Sequence, residues 1–139
     1  MAEMSVAERD AFLAQARIGM LATLDTAGAP LAIPIWYDWD GERARMFTSG
    51  NSPKVTRLRR DGRVCLTVAE PVGVPEAWVA IEGVATIEAG TGFALAQRLA
   101  PRYYSPEQAA RTLDAWGRTA HDWVTIVLEP RRIRTSAPV

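Results

Sequence analysis

The sequence predicts a mainly β protein, in which six antiparallel strands form a barrel with helices at its periphery. Three observations support this fold class. Apolar residues alternate with a period of two in the first, second and last of six strand-like segments. Short turns join most of these segments, including the hairpin signal Asp40-Gly41. Helical patterns are few and short. With 139 residues and 48% hydrophobic residues, residues 1–139 are expected to form a single domain with its own core.

The strands follow from the alternation, and two of them contain a residue that disturbs a regular ladder. The six predicted strands are Ile18–Leu24, Leu31–Trp39, Arg43–Thr48, Arg63–Ala69, Ala77–Glu88 and His121–Arg134. Pro34 lacks a backbone N–H, so the second strand is expected at a sheet edge or at a bulge. Gly83 predicts a bulge or a close backbone approach within the fifth strand.

Helices are predicted where capping residues precede helical patterns. Ser5 and Glu8 have capping-box spacing and open a helix that runs from about Val6 to Ala16. A second helix is expected over Thr91–Leu99. Ser105-Pro106-Glu107-Gln108 has the spacing of a second capping box, with proline at the first helical position, and begins another helix that continues to about Arg118.

The most informative local pattern is a short helix that follows the third strand. Ser52 is predicted as its N-cap and Pro53 as its first helical residue. Five of the 16 cations lie between Lys54 and Arg63, and Lys54 is the only lysine. A helix N-terminus beside a hydroxyl and a cation suits a phosphate group. The same pattern is also typical of a capped surface helix with a solvated basic face, and local sequence leaves both interpretations open.

Composition argues against several classes of function. The formal net charge is zero, which gives no electrostatic reason to expect nucleic-acid or membrane binding. Only one cysteine, Cys65, and one histidine, His121, are present, so neither a disulfide nor a histidine-rich metal site is expected. No serine lies in a nucleophile-elbow motif, and no phosphate-binding glycine loop is present. No signal peptide is visible, and a cytoplasmic location is expected.

Five tryptophans are many for a chain of this length. Core or interface packing is the ordinary explanation for any one of them. Trp36 and Trp78 are the best candidates for contact with a planar heterocycle, because one precedes the basic hairpin and the other begins the strand after it.

Four segments, in order, resemble the split β-barrel superfamily that includes the pyridoxamine 5′-phosphate oxidases and binds flavins or deazaflavins. The resembling segments are Ile18–Leu24 with Gly28 and Pro30, Pro34–Gly41, Ser52–Val64 and Trp78–Ala85. The third segment is similar to the family's Ser-x-Lys phosphate-binding segment. The resemblance implies a six-stranded antiparallel FMN-binding split barrel that forms a homodimer, with the cofactor at the subunit interface.

The resemblance also implies roles for individual residues. It places the cofactor phosphate near Ser52, Pro53 and Lys54, with Thr48 and Ser49 as polar contacts. It places the ring system along the second strand, and Arg57 and Arg60 near further anionic charge. The implied ring contacts lie around Ile35 and Trp36. Pro34, which precedes them on the strand, and Trp78, from the count of tryptophans, are the further candidate contacts.

The chain differs from the pyridoxamine 5′-phosphate oxidases themselves, and these differences guide the choice of cofactor. The second strand reads Ile33-Pro34-Ile35-Trp36-Tyr37 and lacks the arginine that those enzymes use for the flavin phosphate. The chain is more similar to the class that uses coenzyme F420, which implies hydride transfer to a small unsaturated or conjugated acceptor. An FMN-dependent oxidase or reductase is the alternative, and a non-catalytic flavin, deazaflavin or haem binder is another. No catalytic residue is identified, although Tyr37, Tyr103 and His121 are candidate proton donors.

Overall fold

A computed structural model describes residues 1–139 and contains one curled antiparallel sheet of seven strands with four α-helices around it. The strands are β1 (Gly19–Leu24), β2 (Pro30–Ile35), β3 (Asp38–Trp39), β4 (Ala44–Ser49), β5 (Arg63–Ala69), β6 (Trp78–Glu88) and β7 (Trp123–Ser136). The helices are α1 (Val6–Ala14), α2 (Pro53–Arg60), α3 (Gly92–Tyr103) and α4 (Pro106–Gly117), and a 3-10 turn covers Ala120–Asp122. The order across the sheet is β2-β1-β5-β6-β7-β4-β3.

The predicted mainly β architecture is confirmed, but the count of six strands is wrong. The predicted strand Leu31–Trp39 is interrupted at Trp36 and Tyr37, so that β2 pairs with β1 and β3 pairs with β4. These pairings put the two halves of one chain segment at opposite edges of the sheet. Only residues 36 and 37 separate the halves, so the sheet must curl until its edges approach each other. The result is a half-barrel, and the break occurs where the chain crosses from one edge to the other.

The core lies on the concave face of this sheet, as the alternation in the strands predicts. Inward residues of β1, β5 and β6 are buried, and Leu21, Leu66 and Ile81 among them have no exposed surface. Leu13 from α1 and Leu58 from α2 close the same cluster from outside the sheet. Each such side chain contributes about 1.5–3 kcal/mol through burial, so this cluster holds α2 firmly against the strands.

Two irregularities in the strands agree with the sequence. Pro34 lies on β2, which is an edge strand, so its missing N–H leaves no ladder bond unmade. The β6–β7 register shifts between Glu82 and Gly83, which confirms the predicted bulge. A Cβ at position 83 would overlap the carbonyl oxygen of Glu129, so the strands approach there as only glycine allows.

The first predicted capping box is confirmed. The Ser5 hydroxyl accepts a hydrogen bond from the Glu8 N–H at 3.1 Å, and the Glu8 carboxylate accepts one from the Ser5 N–H at 3.2 Å. Helix α1 nevertheless ends at Ala14 rather than Ala16. Ser105 caps α4 through the Gln108 N–H, while the Gln108 side chain bonds Thr112 instead of completing the box.

Helix α3 is longer than predicted, since it continues past Leu99 to Tyr103 with Pro101 inside its last turn. Proline there removes one late hydrogen bond but does not end the helix. The extension brings Tyr103 and Tyr104 to the β2–β3 crossing. No helix in the structure has the length and apolar character needed to span a bilayer.

Candidate functional site

A cavity of about 340 Å³ lies between the end of β2, the start of α2 and the α3–α4 hairpin. Its apolar lining consists of Ile18, Pro34, Ile35, Trp36, Phe47 and Trp116. The remaining lining residues are Lys54 and Tyr104. Four of the residues predicted to bind a cofactor, namely Pro34, Ile35, Trp36 and Lys54, therefore meet at one cavity.

Stacked aromatic rings form the wall of this cavity. Trp36 lies parallel to Tyr103, with ring centroids 4.5 Å apart and planes 3° from parallel. Phe47 stacks on Trp123 in the same way at 5.5 Å. The Trp116 ring lies 5.8 Å from both Trp36 and Phe47 and connects the two stacks. Offset and edge-to-face contacts of this kind stabilise one another, so the wall is held in place before any ligand binds.

A hydrogen-bond network holds the chain where β2 gives way to β3. The Tyr103 hydroxyl donates to the Arg17 carbonyl oxygen at 2.8 Å and accepts from the backbone N–H of Tyr37 at 3.3 Å. The Tyr37 hydroxyl donates to the Gln15 carbonyl oxygen at 3.1 Å. Side-chain groups thus satisfy polar backbone atoms that the strand break would otherwise leave without partners.

The two tyrosines of this network stay protonated over the ordinary pH range. Burial, with a smaller effect from Tyr103, raises the pKa of Tyr37 to about 12. Burial also raises the pKa of Tyr103. Neither residue lines the cavity, and His121 lies exposed in the 3-10 turn before β7. The three candidate proton donors are therefore all outside the cavity lining.

Lys54 is the only cation in the lining. It lies in the first turn of α2, half-buried, and its pKa is lowered first by burial and then by the neighbouring Arg57. No group in the chain pairs with its ammonium, and its backbone N–H also has no acceptor. A partly desolvated cation next to a free helix N–H attracts an anionic group.

The predicted N-cap role of Ser52 is wrong in one respect. Ser52 occupies the N-cap position of α2, but its side chain makes no capping hydrogen bond. Its hydroxyl instead accepts a hydrogen bond from the Thr48 hydroxyl at 3.2 Å. The Ser52 carbonyl oxygen accepts from Val55 and Thr56 and holds the first turn. The Ser52 side chain, which the sequence assigns to capping, thus bonds the end of β4 instead of the helix N-terminus.

The remaining predicted site residues fall into two groups. Thr48 and Ser49 end β4, and Ser52 and Pro53 begin α2 just before Lys54. The Ser49 hydroxyl donates to Asn51 at 2.6 Å. Arg57, Arg60 and Trp78 lie outside the cavity lining. Arg60 donates to the Leu24 carbonyl oxygen at 3.0 Å, at the far end of α2. Trp78 begins β6, opposite Ala69 and Ser136.

Sequence reasoning did not assign Ile18, Phe47, Tyr104 or Trp116 to the site. The count of five tryptophans was the only signal that pointed towards an aromatic wall. Nothing in the local pattern of α4 distinguishes Trp116 from an ordinary packing residue, because its neighbours in the wall come from other elements.

The lining fits a planar heterocycle that carries a phosphate. Aromatic and apolar side chains supply flat contact area. Lys54 supplies positive charge at one side of the cavity. No carboxylate lines the cavity, so an anionic ligand would meet no direct repulsion there.

Several solved structures share this fold. The conserved hypothetical protein Rv2991 from Mycobacterium tuberculosis is 29% identical, with a TM-score of 0.74 over 96% of this chain and 85% of that one. A protein named F420 reductase is 23% identical, with a TM-score of 0.70 over 89% of this chain and 94% of that one. A FAD-binding protein from Mesorhizobium loti is 19% identical, with a TM-score of 0.69 over 96% of this chain and 95% of that one. No curated protein sequence matches this chain.

The family comparison covers nearly the whole chain. The family model described as pyridoxamine 5′-phosphate oxidase matches residues 6–137, from α1 through the end of β7. This range contains every strand, every helix and the whole cavity, which agrees with the resemblance seen in the four sequence segments. The chain belongs to the pyridoxamine 5′-phosphate oxidase family.

Proposed function

We propose that the chain is an oxidoreductase that uses reduced coenzyme F420 to transfer hydride to a small unsaturated or conjugated organic acceptor. The observation that carries the proposal is that Lys54 and the Pro34-Ile35-Trp36 segment line one cavity. A cation for a phosphate and a flat apolar surface for a ring are thus adjacent. A protein with the same fold is named F420 reductase, which supports this choice of cofactor.

The residues of the chain bind and orient the cofactor in this proposal. Lys54 pairs with the phosphate, and the hydroxyls of Thr48, Ser49 and Ser52 supply further polar contacts. The ring lies against Pro34, Ile35 and Trp36. When bound, reduced F420 supplies the hydride, so the protein's contribution is position, exclusion of water and electrostatics. Arg57 and Arg60 add positive potential along α2 without lining the cavity.

The charge in the cavity suits the phosphodiester of F420 better than the phosphomonoester of FMN. A phosphate monoester such as that of FMN carries a charge of about −1.5 to −2 at neutral pH. The phosphate of F420 is a diester with a single negative charge. One half-buried lysine, with no arginine on β2, matches the single charge better. FMN on the same site is the alternative cofactor.

We further propose a homodimer in which the cofactor lies at the subunit interface. Trp78 does not line the cavity of its own chain, so it would contact the cofactor from a second copy. Met20 on β1 is 40% exposed and Leu31 on β2 is 45% exposed. Exposed apolar side chains on neighbouring strands support the proposal that a second copy covers this face of the sheet. Each copy is one split-barrel domain.

Binding of the two cofactors can be compared directly through tryptophan fluorescence, because Trp36 and Trp116 line the cavity. The purified protein is titrated separately with F420 and with FMN. Lys54→Ala is expected to weaken F420 binding by about 10- to 150-fold, the equivalent of the 1.5–3 kcal/mol of a hydrogen bond to a charged group. Lys54→Arg keeps the charge and is expected to lose less.

Arg59→Ala is the matched control, since Arg59 is exposed on α2 and does not line the cavity. An unchanged F420 affinity in Lys54→Ala would contradict the phosphate assignment. Tighter binding of FMN than of F420 would identify FMN, rather than F420, as the cofactor. Tight F420 binding without turnover on a broad panel of acceptors would identify a carrier rather than an enzyme.

A further inference from the structure

The two helices beside the Lys54 cavity differ in how firmly they are attached to the sheet. Helix α3 buries five of its twelve residues. Its Arg98 and Arg102 side chains form ion pairs with Asp38 on β3, at 2.8 and 3.3 Å. At the end of the same helix, the Tyr103 hydroxyl donates to the Arg17 carbonyl oxygen at 2.8 Å. Helix α3 is therefore held by buried residues and by polar bonds to other elements.

Helix α4 has no comparable polar attachment. It has the same length, but Ala109 is its only buried residue. Every hydrogen bond and ion pair of its side chains stays within the helix and its capping residues. Beyond the N-terminal cap, these bonds join Gln108 to Thr112 and Arg111, and Arg118 to Asp114. No polar side-chain bond therefore connects α4 to the sheet or to α3.

Trp116 attaches α4 to the aromatic wall of the cavity. Its ring lies 5.8 Å from those of Trp36 and Phe47 and 5.3 Å from that of Trp123. Trp36 stacks on Tyr103, and Phe47 stacks on Trp123, without help from α4. The wall thus consists of two stacks that belong to firmly attached elements and one ring, Trp116, that belongs to α4. While the helix is in place, Trp116 lines the cavity.

The weak attachment of α4 predicts that it detaches more readily than its surroundings. A segment with few buried contacts opens locally at a lower free energy than the elements around it. An isolated helix of twelve residues is marginal in water, so α4 loses its own backbone hydrogen bonds once it detaches. Short connections at Tyr104-Ser105 and Arg118-Thr119 join it to α3 and to the 3-10 turn. Because Trp116 moves with α4, detachment opens one side of the cavity.

We propose that α4 is a lid on the Lys54 cavity and that Trp116 is its latch. The helix detaches to admit a planar ring to the cavity, and Trp116 closes on that ring. Gating of this kind is performed by segments of low local stability. The identity of the ring rests on the proposed function, whereas the lid and its latch rest on the attachment of α4 alone.

Hydrogen–deuterium exchange followed by mass spectrometry tests the lid in the purified protein without cofactor. The measurement compares the backbone amides of α4 with those of α3, which has the same length. Amides of α4 are expected to exchange at least about 10-fold faster, because local opening of α4 leaves α3 in place. Equal protection of the two helices would overturn the lid.

The latch is tested by substitution of Trp116. Trp116→Ala is expected to speed exchange in α4 by at least a further 10-fold or so, because its ring contacts are lost, and to leave α3 unchanged. Trp116→Phe keeps a ring and should speed exchange in α4 by less. Arg111→Ala is the matched control, since Arg111 is exposed on α4 and bonds only Gln108, and it should exchange like the unmodified protein.

Unchanged exchange of α4 in Trp116→Ala would overturn the latch. If Trp116→Ala speeds exchange throughout the chain, the milder Trp116→Phe decides, and it must affect α4 without affecting α3. Addition of F420 at saturation should then slow exchange in α4 by at least about 10-fold, because the lid closes on the ring.

The cofactor experiment separates the lid from the proposed function. F420 binding with unchanged exchange in α4 would overturn closure of the lid and leave the proposed function standing. Absence of binding by both F420 and FMN would refute the proposed function, and the comparison of α4 with α3 without ligand would then decide about the lid by itself.

Discussion

The Tyr103 hydroxyl bonds the chain where it crosses from β2 at one edge of the sheet to β3 at the other. Substitution by phenylalanine removes this hydroxyl and keeps the ring. In Tyr103→Phe, the stack on Trp36 at 4.5 Å remains. Two hydrogen bonds are lost, one to the Arg17 carbonyl oxygen at 2.8 Å and one from the Tyr37 N–H at 3.3 Å. The substitution therefore tests the network below the cavity rather than the aromatic wall.

The two lost bonds are not equivalent. Loss of an ordinary hydrogen bond costs about 0.5–1.5 kcal/mol, while a buried N–H left without an acceptor costs about 1–3 kcal/mol. Tyr37 is completely buried, so water cannot replace the hydroxyl at its N–H. The free energy of unfolding should therefore fall by about 1.5–4.5 kcal/mol, of which the larger share comes from Tyr37.

Urea unfolding followed by circular dichroism gives this free energy, with an unchanged slope against urea as the sign of an unaltered folded state. Tyr104→Phe is the matched control, because Tyr104 is the next residue, is 40% exposed and has a hydroxyl without a protein partner. The control should change stability by less than about 0.5 kcal/mol. If Tyr103→Phe behaves like the control, the hydroxyl does not support the strand break.

Two further predictions concern stability. The pKa of Tyr37 is about 12 in the folded protein and about 10 when unfolded, so the stability gained by keeping its proton is present below pH 10. This contribution, about 3 kcal/mol, should be lost as the pH rises from about 10 to 12. In urea unfolding, the free energy of unfolding of Tyr37→Phe should therefore fall less over that range than that of the unmodified protein. An equal fall in both proteins would contradict the assignment of the raised pKa to Tyr37. Gly83→Ala should lower stability by about 1–3 kcal/mol, since its Cβ would overlap the Glu129 carbonyl oxygen at the bulge. Thr86→Ala, at an exposed position of the same strand, is its control, and similar thermal melting of both variants would show that the strands can separate without cost.

Local sequence determined much of the fold in this protein. Alternating apolar residues located the strands, because the side-chain period of a strand is visible along the chain itself. Pro34 predicted an edge strand and Gly83 predicted a bulge, since both act through their own backbone. Ser5 and Glu8 predicted the start of α1 because a capping box involves residues only three apart. The local pattern of α2 left two interpretations open, a solvated basic helix and an anion site at Lys54, and the anion site stays a prediction.

Tertiary structure decided the features that depend on residues far apart in sequence. The break at Trp36 and Tyr37 arises because one segment must pair with β1 and then with β4, and the hydroxyl that permits it comes from Tyr103. Ser52 has the sequence of a capping residue, yet its hydroxyl bonds Thr48 on the preceding strand. The aromatic wall joins side chains of the β2–β3 crossing, β4 and the α3–α4 hairpin, and no local period relates these elements. Local patterns report the backbone conformation of a segment, whereas the identity of its neighbours depends on how the whole sheet curls.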